Sequence, residues 1–269
     1  MPEGPEVKLF TEKINKNFKG KTLKKVEVLS GRYINNPIES LFKLNGSLFK
    51  GCFCKGKFIW FDFGNNVVFN TLGMTGSWNK TKTKHSRIEL IFRDDSRLYF
   101  NDIRNFGTFQ LKTSEDLQKK LKSIGPDMLS SPPNDFINRL RKYNHKNICE
   151  VLMNQKVISG VGNYIKAESL WYSRINPHSL IKDLTDKNLV ALDKAIRFVI
   201  NKSYNEQGAT IQSYYTFDGD NGNAVQGFAV YGRNKDYNGH NVIKETTLDK
   251  RTTHWVKERQ TIGDRKRDF

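Results

Sequence analysis

Residues 154–171 read NQKVISGVGNYIKAESLW, and the stretch changes character at its centre. Gly160 and Gly162 allow a tight turn in which backbone can approach a partner closely. From Asn163 onward the pattern is helical, and a helix start leaves its first N–H groups free. Those groups, with the Asn163 amide beside them, suit an anionic oxygen, although a glycine-rich cap without a ligand would look the same in isolation. Helical patterns also occupy about 147–154 and 185–206, so the C-terminal half begins as a helical domain.

Upstream, Asn134 is placed to cap a helix carrying Phe136, Ile137, Leu140 and Tyr143. Gly125-Pro126-Asp127 and Ser130-Ser131-Pro132-Pro133 fit neither a helix interior nor a central strand, which places a linker over 129–133. Ser114 to Ser123 is charged and helix-prone. From Thr22 to Leu111 the pattern alternates, as in Leu23, Val26 and Val28, Phe58 and Trp60, and Ile88, Leu90 and Phe92. Turn signals at Gly64-Asn65-Asn66 and Asp94-Asp95-Ser96 separate the runs, so a mostly antiparallel β-domain is expected. Pro5 to Phe18 sets Val7, Phe10, Ile14 and Phe18 at helical spacing, with Pro5 suited to the first turn.

Downstream, the turn-rich stretch 216–223 reads as an exposed loop. Phe228–Tyr231 and Thr252–Val256 are expected as two short strands pairing in a hairpin. The fold class is therefore α+β: an N-terminal helix and β-sandwich domain over 1–128, the linker, a helical domain over 134–227, a hairpin over 228–262 and a basic tail over 263–269 ending Arg265-Lys266-Arg267.

With 45 Lys and Arg against 28 Asp and Glu, the 269-residue chain carries a net charge of +17. Such a field attracts polyanions, nucleic acid above all, although a lysine-rich coat alone would give the same number. Three cysteines, Cys52, Cys54 and Cys149, are too few for a disulfide framework or a four-thiolate zinc site. Cys52 and Cys54 share one face of a strand and are expected as reduced, partly buried thiols. No apolar run reaches the roughly 18 residues of a membrane span, and no basic-apolar leader opens the sequence. An intracellular, monomeric protein without a membrane contact is expected, its compartment open between the nucleus and a site of DNA replication.

The first residues, Met-Pro-Glu-Gly-Pro-Glu, hold the strongest candidate chemistry. Removal of the initiator Met ahead of proline exposes a secondary amine. An α-amine titrates near 7.7–8, so a useful fraction is neutral and nucleophilic at physiological pH, and the positive end of the helix that follows lowers that value further. Pro2 can then form an iminium with an aldehyde-like carbon, while Glu3 is placed to move a proton. Taken alone, the same six residues also read as an ordinary helix start.

Several segments in order decide between these readings: PEGPEV (Pro2–Val7), GKFIWF (Gly56–Phe61), LGMTGSW (Leu72–Trp78), RNFGTF (Arg104–Phe109), GPDML (Gly125–Leu129), the stretch quoted first, VYGR (Val230–Arg233) and RTTHW (Arg251–Trp255). Together they resemble the formamidopyrimidine-DNA glycosylase and endonuclease VIII family over nearly the whole chain. The resemblance implies a helix–two-turn–helix motif around Asn163. It makes Pro2 the nucleophile, with Glu3 as proton carrier and Glu6 in support. Lys57, Asn163, Lys156 and Arg251 become phosphate contacts. Met74 becomes the plug that fills the gap left by an extruded nucleotide, and Phe106 the wedge in the opposite strand.

Three departures from the family pattern carry expectations of their own. Most members bind zinc through four cysteines in a C-terminal finger, but Tyr231 to Gln260 contains none. His240 and His254 cannot complete such a site and are expected at the surface. The chain thus looks like the branch with a zincless finger, which includes giant-virus enzymes, and neither metal nor other cofactor is expected. Thr71 stands where a His usually precedes Leu-Gly-Met. Asn105 stands where an Arg usually precedes Phe-Gly, so loose discrimination of the opposite base is expected.

The function implied is a base-excision glycosylase and lyase. An oxidised pyrimidine or hydantoin is turned out of the duplex, Pro2 attacks C1′, and β,δ-elimination cuts the strand; damaged duplex, abasic-site and single-stranded DNA are the partners. The alternatives are an 8-oxoguanine or formamidopyrimidine glycosylase of the same family, a non-catalytic DNA-binding protein that would have no need of Pro2, Glu3 and Lys57 together, and an RNA binder, which accounts for the charge but not the spacing.

Overall fold

The computed structural model describes residues 2–35, 39–209, 217 and 222–261. Most of the loop expected over 216–223 and the whole of the tail expected over 263–269 lie outside the described residues. The chain forms two compact units, Met1–Ser123 with Tyr204–Val225, and Ile124–Ser203 with Gln226–Phe269.

In the first unit, helix α1 (Gly4–Phe18) leads into strand β1 (Leu23–Val28) and the short helix α2 (Arg32–Asn35). Strands β2 (Gly51–Lys55), β3 (Phe58–Asp62), β4 (Asn66–Thr71), β5 (Gly76–Asn79), β6 (Ser86–Phe92), β7 (Arg97–Asp102) and β8 (Thr108–Thr113) follow, then helix α3 (Ser114–Ser123). The strands form two four-stranded antiparallel sheets, β1-β6-β7-β5 and β2-β3-β4-β8. This is the expected β-sandwich. Its inner faces meet Phe10, Ile14 and Phe18 of α1 in one core, because the alternation puts Ile59 and Phe61, Ile88 and Leu90 on the same side of their strands. The rings of Phe61, Trp78, Phe100 and Phe109 fill its centre, with Phe61 4.9 Å and Phe100 5.1 Å from Trp78. The edge of β2 is closed by Asn15, whose amide accepts from Cys52 N–H and donates to Cys52 C=O, both at 2.7 Å.

The second unit holds α4 (Phe136–Arg141), α5 (Ile148–Met153), α6 (Asn163–Tyr172), most of α7 (Asp186–Asn205) and the hairpin β9 (Ile243–Thr246) and β10 (Thr252–Trp255). The helices fall where expected, although α4 is capped by Asp135, not Asn134, and ends at Arg141, short of Tyr143.

Two expectations are corrected. The division falls at Ser123/Ile124, ahead of 129–133. The reason is that Gly125 to Leu129 docks on the turn before α6: Gly125 N–H donates to Gln155 C=O, Met128 N–H to Ser159 C=O, and Ser159 N–H to Pro126 C=O. Pro133 C=O in turn accepts from Arg197 at 2.9 Å, so the proline-rich segment is pinned to α7. The helical domain also does not run unbroken to 227, because 204–225 packs with the first unit. The second correction is the hairpin partner of 252–255, which is 243–246. Residues 229–231 form no ladder, since their N–H groups converge instead on one carboxylate, Glu168.

Candidate active site and nucleic-acid interface

Pro2 lies two residues ahead of α1, and Pro2, Glu3 and Glu6 are all buried. Glu3 is the N-cap residue. The Glu6 carboxylate accepts the Glu3 N–H at 2.7 Å through Oε2 and the Ala209 N–H at 2.8 Å through Oε1. Glu6 thus fastens the N-terminal turn to a segment two hundred residues away in the chain, and the Glu3 side chain in turn accepts the Glu6 N–H in a reciprocal capping box. Lys57 is half-buried in the two-residue turn Gly56-Lys57 between β2 and β3.

Met74 lies in the turn between β4 and β5, and the structure brings it together with Phe106, which is 52% exposed. Gly73 explains the closeness. Its φ is +59°, and a Cβ there would stand 2.9 Å from the backbone of Phe106 and Gly107, so only glycine lets the two loops touch. Both loops hang on the buried carboxylate of Asp102, which accepts from the Thr75 hydroxyl at 2.5 Å and from Gly107 N–H at 2.7 Å. Thr75 Oγ1 in turn accepts the Arg104 N–H at 2.9 Å. Arg87 donates to the carbonyls of Asp102 and Ile103, and Tyr33 to that of Gly107. Burial raises the Tyr33 hydroxyl above its ordinary value, which keeps it a proton donor.

Arg104 was not singled out by the sequence. Its guanidinium lies 3.0 Å from Met74 Sδ and 4.7 Å from the centroid of the Phe106 ring, a cation held over an aromatic face. Its signal in the sequence is the first residue of RNFGTF, directly before Asn105. Asn105 itself is left-handed, with φ +59°, and its Oδ1 is buried against Gly31. Asn105 thus stands directly before Phe106-Gly107, as the sequence has it, and the arginine of the loop, Arg104, precedes it. Thr71 pairs its hydroxyl with that of Thr108 at 2.9 Å.

In the second unit, the Gln155 side chain spans the turn before α6, accepting Gly160 N–H at 3.1 Å and donating to Val161 C=O at 2.9 Å. Gly160 has φ +94°, and Gly162 is the N-cap of α6. Asn163 donates to Thr252 C=O of β10 at 2.8 Å, which joins the start of α6 to the strand that follows Arg251. Lys156 and Arg251 are exposed.

The same helix anchors the rest of the hairpin segment. Glu168, buried, accepts N–H groups from Ala229, Val230 and Tyr231 at 2.7, 2.9 and 2.7 Å. Lys166, fully buried, meets Asp249 at 2.5 Å. Trp171 donates to Asp236, whose other oxygen accepts from Asn238 and His240 N–H at 2.9 Å each. Burial works to raise the Asp236 carboxyl, yet the hydrogen bonds from His240, Trp171 and Asn238 outweigh it and hold the group below the usual carboxylate range.

A zinc ion of the kind found in related fingers does not fit these residues. Residues 231–260 hold no cysteine, His240 Nδ1 sits 3.3 Å from Asp236, and His254 packs on the Tyr231 ring at 4.8 Å. Among the described residues no cluster of three or more His, Cys, Asp or Glu could ligate a metal. His254 is half-buried, which corrects its expected place at the surface, and burial lowers its imidazole. Burial also pushes Cys149 up to about 12 and Cys52 well above its usual value, so both are inert thiols.

The proline and carboxyls buried at the start of α1, the joined loops of Met74 and Phe106, and the glycine turn before α6 with its hairpin follow the order of the motifs of a DNA glycosylase with abasic-site lyase activity. Comparison with known proteins agrees. The formamidopyrimidine-DNA glycosylase N-terminal domain matches residues 1–109, and the H2TH domain of the same enzymes matches 124–215. A formamidopyrimidine-DNA glycosylase of Lactobacillus johnsonii is 32% identical over 86% of this chain and 88% of its own length. One of Enterococcus faecalis is 29% identical over 99% of both. The Lactococcus lactis enzyme, solved as a point mutant with DNA containing Fapy-dG, superposes with a TM-score of 0.88 at 26% identity, covering 97% of this chain and 100% of its own. Its complex with abasic-site DNA gives 0.87. This chain belongs to the formamidopyrimidine-DNA glycosylase family.

Proposed function

We propose that the protein removes oxidised bases from duplex DNA through an iminium on Pro2 and then cuts the strand. The observation that carries this reading is the burial of Pro2, Glu3 and Glu6 at the start of α1, with Glu6 tied to two backbone N–H groups. With Met1 removed, the Pro2 nitrogen attacks C1′ of the extruded nucleotide as the C1′–base bond breaks. Glu3 delivers a proton to the ring oxygen, the sugar opens, and the iminium makes a C2′ proton acidic. Loss of that proton expels the 3′ phosphate, a second elimination expels the 5′ phosphate, and a one-nucleotide gap results. Lys57, Lys156, Asn163 and Arg251 hold phosphates, Met74 and Phe106 fill the vacated space, and Arg104 offers its guanidinium to the unpaired opposite base.

Borohydride added during reaction with abasic-site DNA is expected to trap a covalent adduct, and mass mapping to place it on Pro2. No adduct, or one on a lysine, overturns the mechanism. For the lesion, the finger without thiolates supports the zincless, endonuclease VIII-like branch, hence oxidised pyrimidines and hydantoins. A second reading, formamidopyrimidine and 8-oxoguanine, is favoured by the names of the relatives and by the Fapy-dG in the Lactococcus complex. Faster cleavage of thymine glycol duplexes than of formamidopyrimidine duplexes supports the first, and the reverse order the second.

A further inference from the structure

The tip of the β9–β10 hairpin, residues 247–251, carries Arg251, yet little apolar burial holds it in place. Leu248, at the tip, is 63% exposed. Its neighbours on either side are instead drawn inward. Thr247 is buried and shares its hydroxyl with Asp249 at 2.5 Å and with the Thr253 hydroxyl at 2.7 Å, while its N–H donates to Arg251 C=O at 3.1 Å. The second oxygen of Asp249 meets Lys166 Nζ, and both side chains are almost wholly buried, at 3% and 0% exposure. A charge pair removed from water in this way is costly unless closely matched and hydrogen-bonded, and here the match joins two elements. Lys166 lies one turn beyond Asn163 on α6, and Asn163 is itself bonded to Thr252, the residue after Arg251.

We propose that the Lys166–Asp249 pair is the positioning device of this metal-free finger: it clamps the hairpin tip to α6 and thereby fixes Arg251 relative to Asn163. The pair acts at the tip of the hairpin, two residues from the arginine that must be aimed. Lys166 and Asp249 are positioning residues and touch no DNA. The inference rests on the reading of Arg251 as a phosphate contact.

The test is a double-mutant cycle on the full-length protein, read as affinity for a duplex carrying a non-cleavable abasic analogue across a salt series. Lys166→Met with Asp249→Leu removes both charges at similar volume, a change that often leaves stability unaltered. The expected result is an unchanged melting temperature, binding weaker by about tenfold, and a salt slope shallower by about 0.9, one phosphate contact. Arg251→Ala should give the same loss, and the combination of all three substitutions no further loss. Asp249→Glu, which keeps the charge but lengthens the arm, serves if the double substitution lowers the melting temperature, and its loss should likewise vanish in the Arg251→Ala background. Wild-type affinity in the clamp variants, or losses that multiply with Arg251→Ala, overturns the proposal. So does an Arg251→Ala protein that binds like wild type, and borohydride trapping at Pro2 then shows separately whether the proposed chemistry stands.

Discussion

Asp102 illustrates how much can depend on one buried side chain. Its carboxylate accepts one hydrogen bond from each of the two loops that carry Met74 and Phe106, so Asp102→Asn must turn an NH2 group toward a donor on one side. Each hydrogen bond to such a charged group contributes about 1.5–3 kcal/mol. If Met74 and Phe106 fill the vacated space as proposed, they act only when a duplex has to be held open, so single-turnover cleavage of a duplex lesion should slow by at least about tenfold, while cleavage of a single-stranded abasic oligonucleotide stays near wild type. Equal loss on both substrates would show that Asp102 merely supports the fold. Residues of this kind were not legible in the sequence. Pro2, Glu3 and Glu6 stand together in six residues and Asn163 follows a glycine turn, so their chemistry shows in local spacing. Asp102 acquires Thr75, and Arg104 acquires Met74, only when loops some thirty residues apart in the chain are folded against each other.

At the scale of elements, alternation identified the sandwich strands because each has one face in the core. The same reasoning failed at 228–231, where an apolar run is buried by serving Glu168 and not by pairing in a sheet. It also passed over β9, IKET, whose exposed residues leave only a faint period. The hairpin these strands form has a pH dependence that can be checked. His254 is lowered first by burial and then by the nearby charges of Lys244 and Lys166, so between its folded value and about 6.5 the unfolded chain binds the extra proton. The stabilising contribution is complete above about 6.5 and declines as pH falls below it. Melting of the wild-type protein should therefore move to lower temperature between pH 7.5 and 5.5 by more than that of His254→Gln. Parallel shifts in the two proteins would assign the effect to another group.

For the whole molecule, the net charge of +17 gives a field that draws DNA in and makes binding salt-dependent, but charge alone could not tell a coat of lysines from a site. The division of the chain was the part least visible in advance. Proline and serine at 130–133 read as a linker, whereas the chain passes between units after Ser123, Ser203 and Val225, and no compositional break marks the second crossing, which falls within α7. The returning segment completes the first unit. Ala209 supplies the N–H for Glu6 at 2.8 Å, Tyr204 donates to Glu12 at 2.8 Å, and Phe217 is 4% exposed within the sandwich core. Removing a buried Phe side chain alone costs about 3–5 kcal/mol, a large share of the about 5–15 kcal/mol that holds a domain together. A fragment of residues 1–123 should therefore melt well below the same fragment joined by a flexible linker to 204–225, and full-length Phe217→Ala should lose stability in proportion. Coincident thermal transitions for the two fragments would mean that the sandwich is complete without the returning segment, and that Glu6 finds its second hydrogen bond elsewhere.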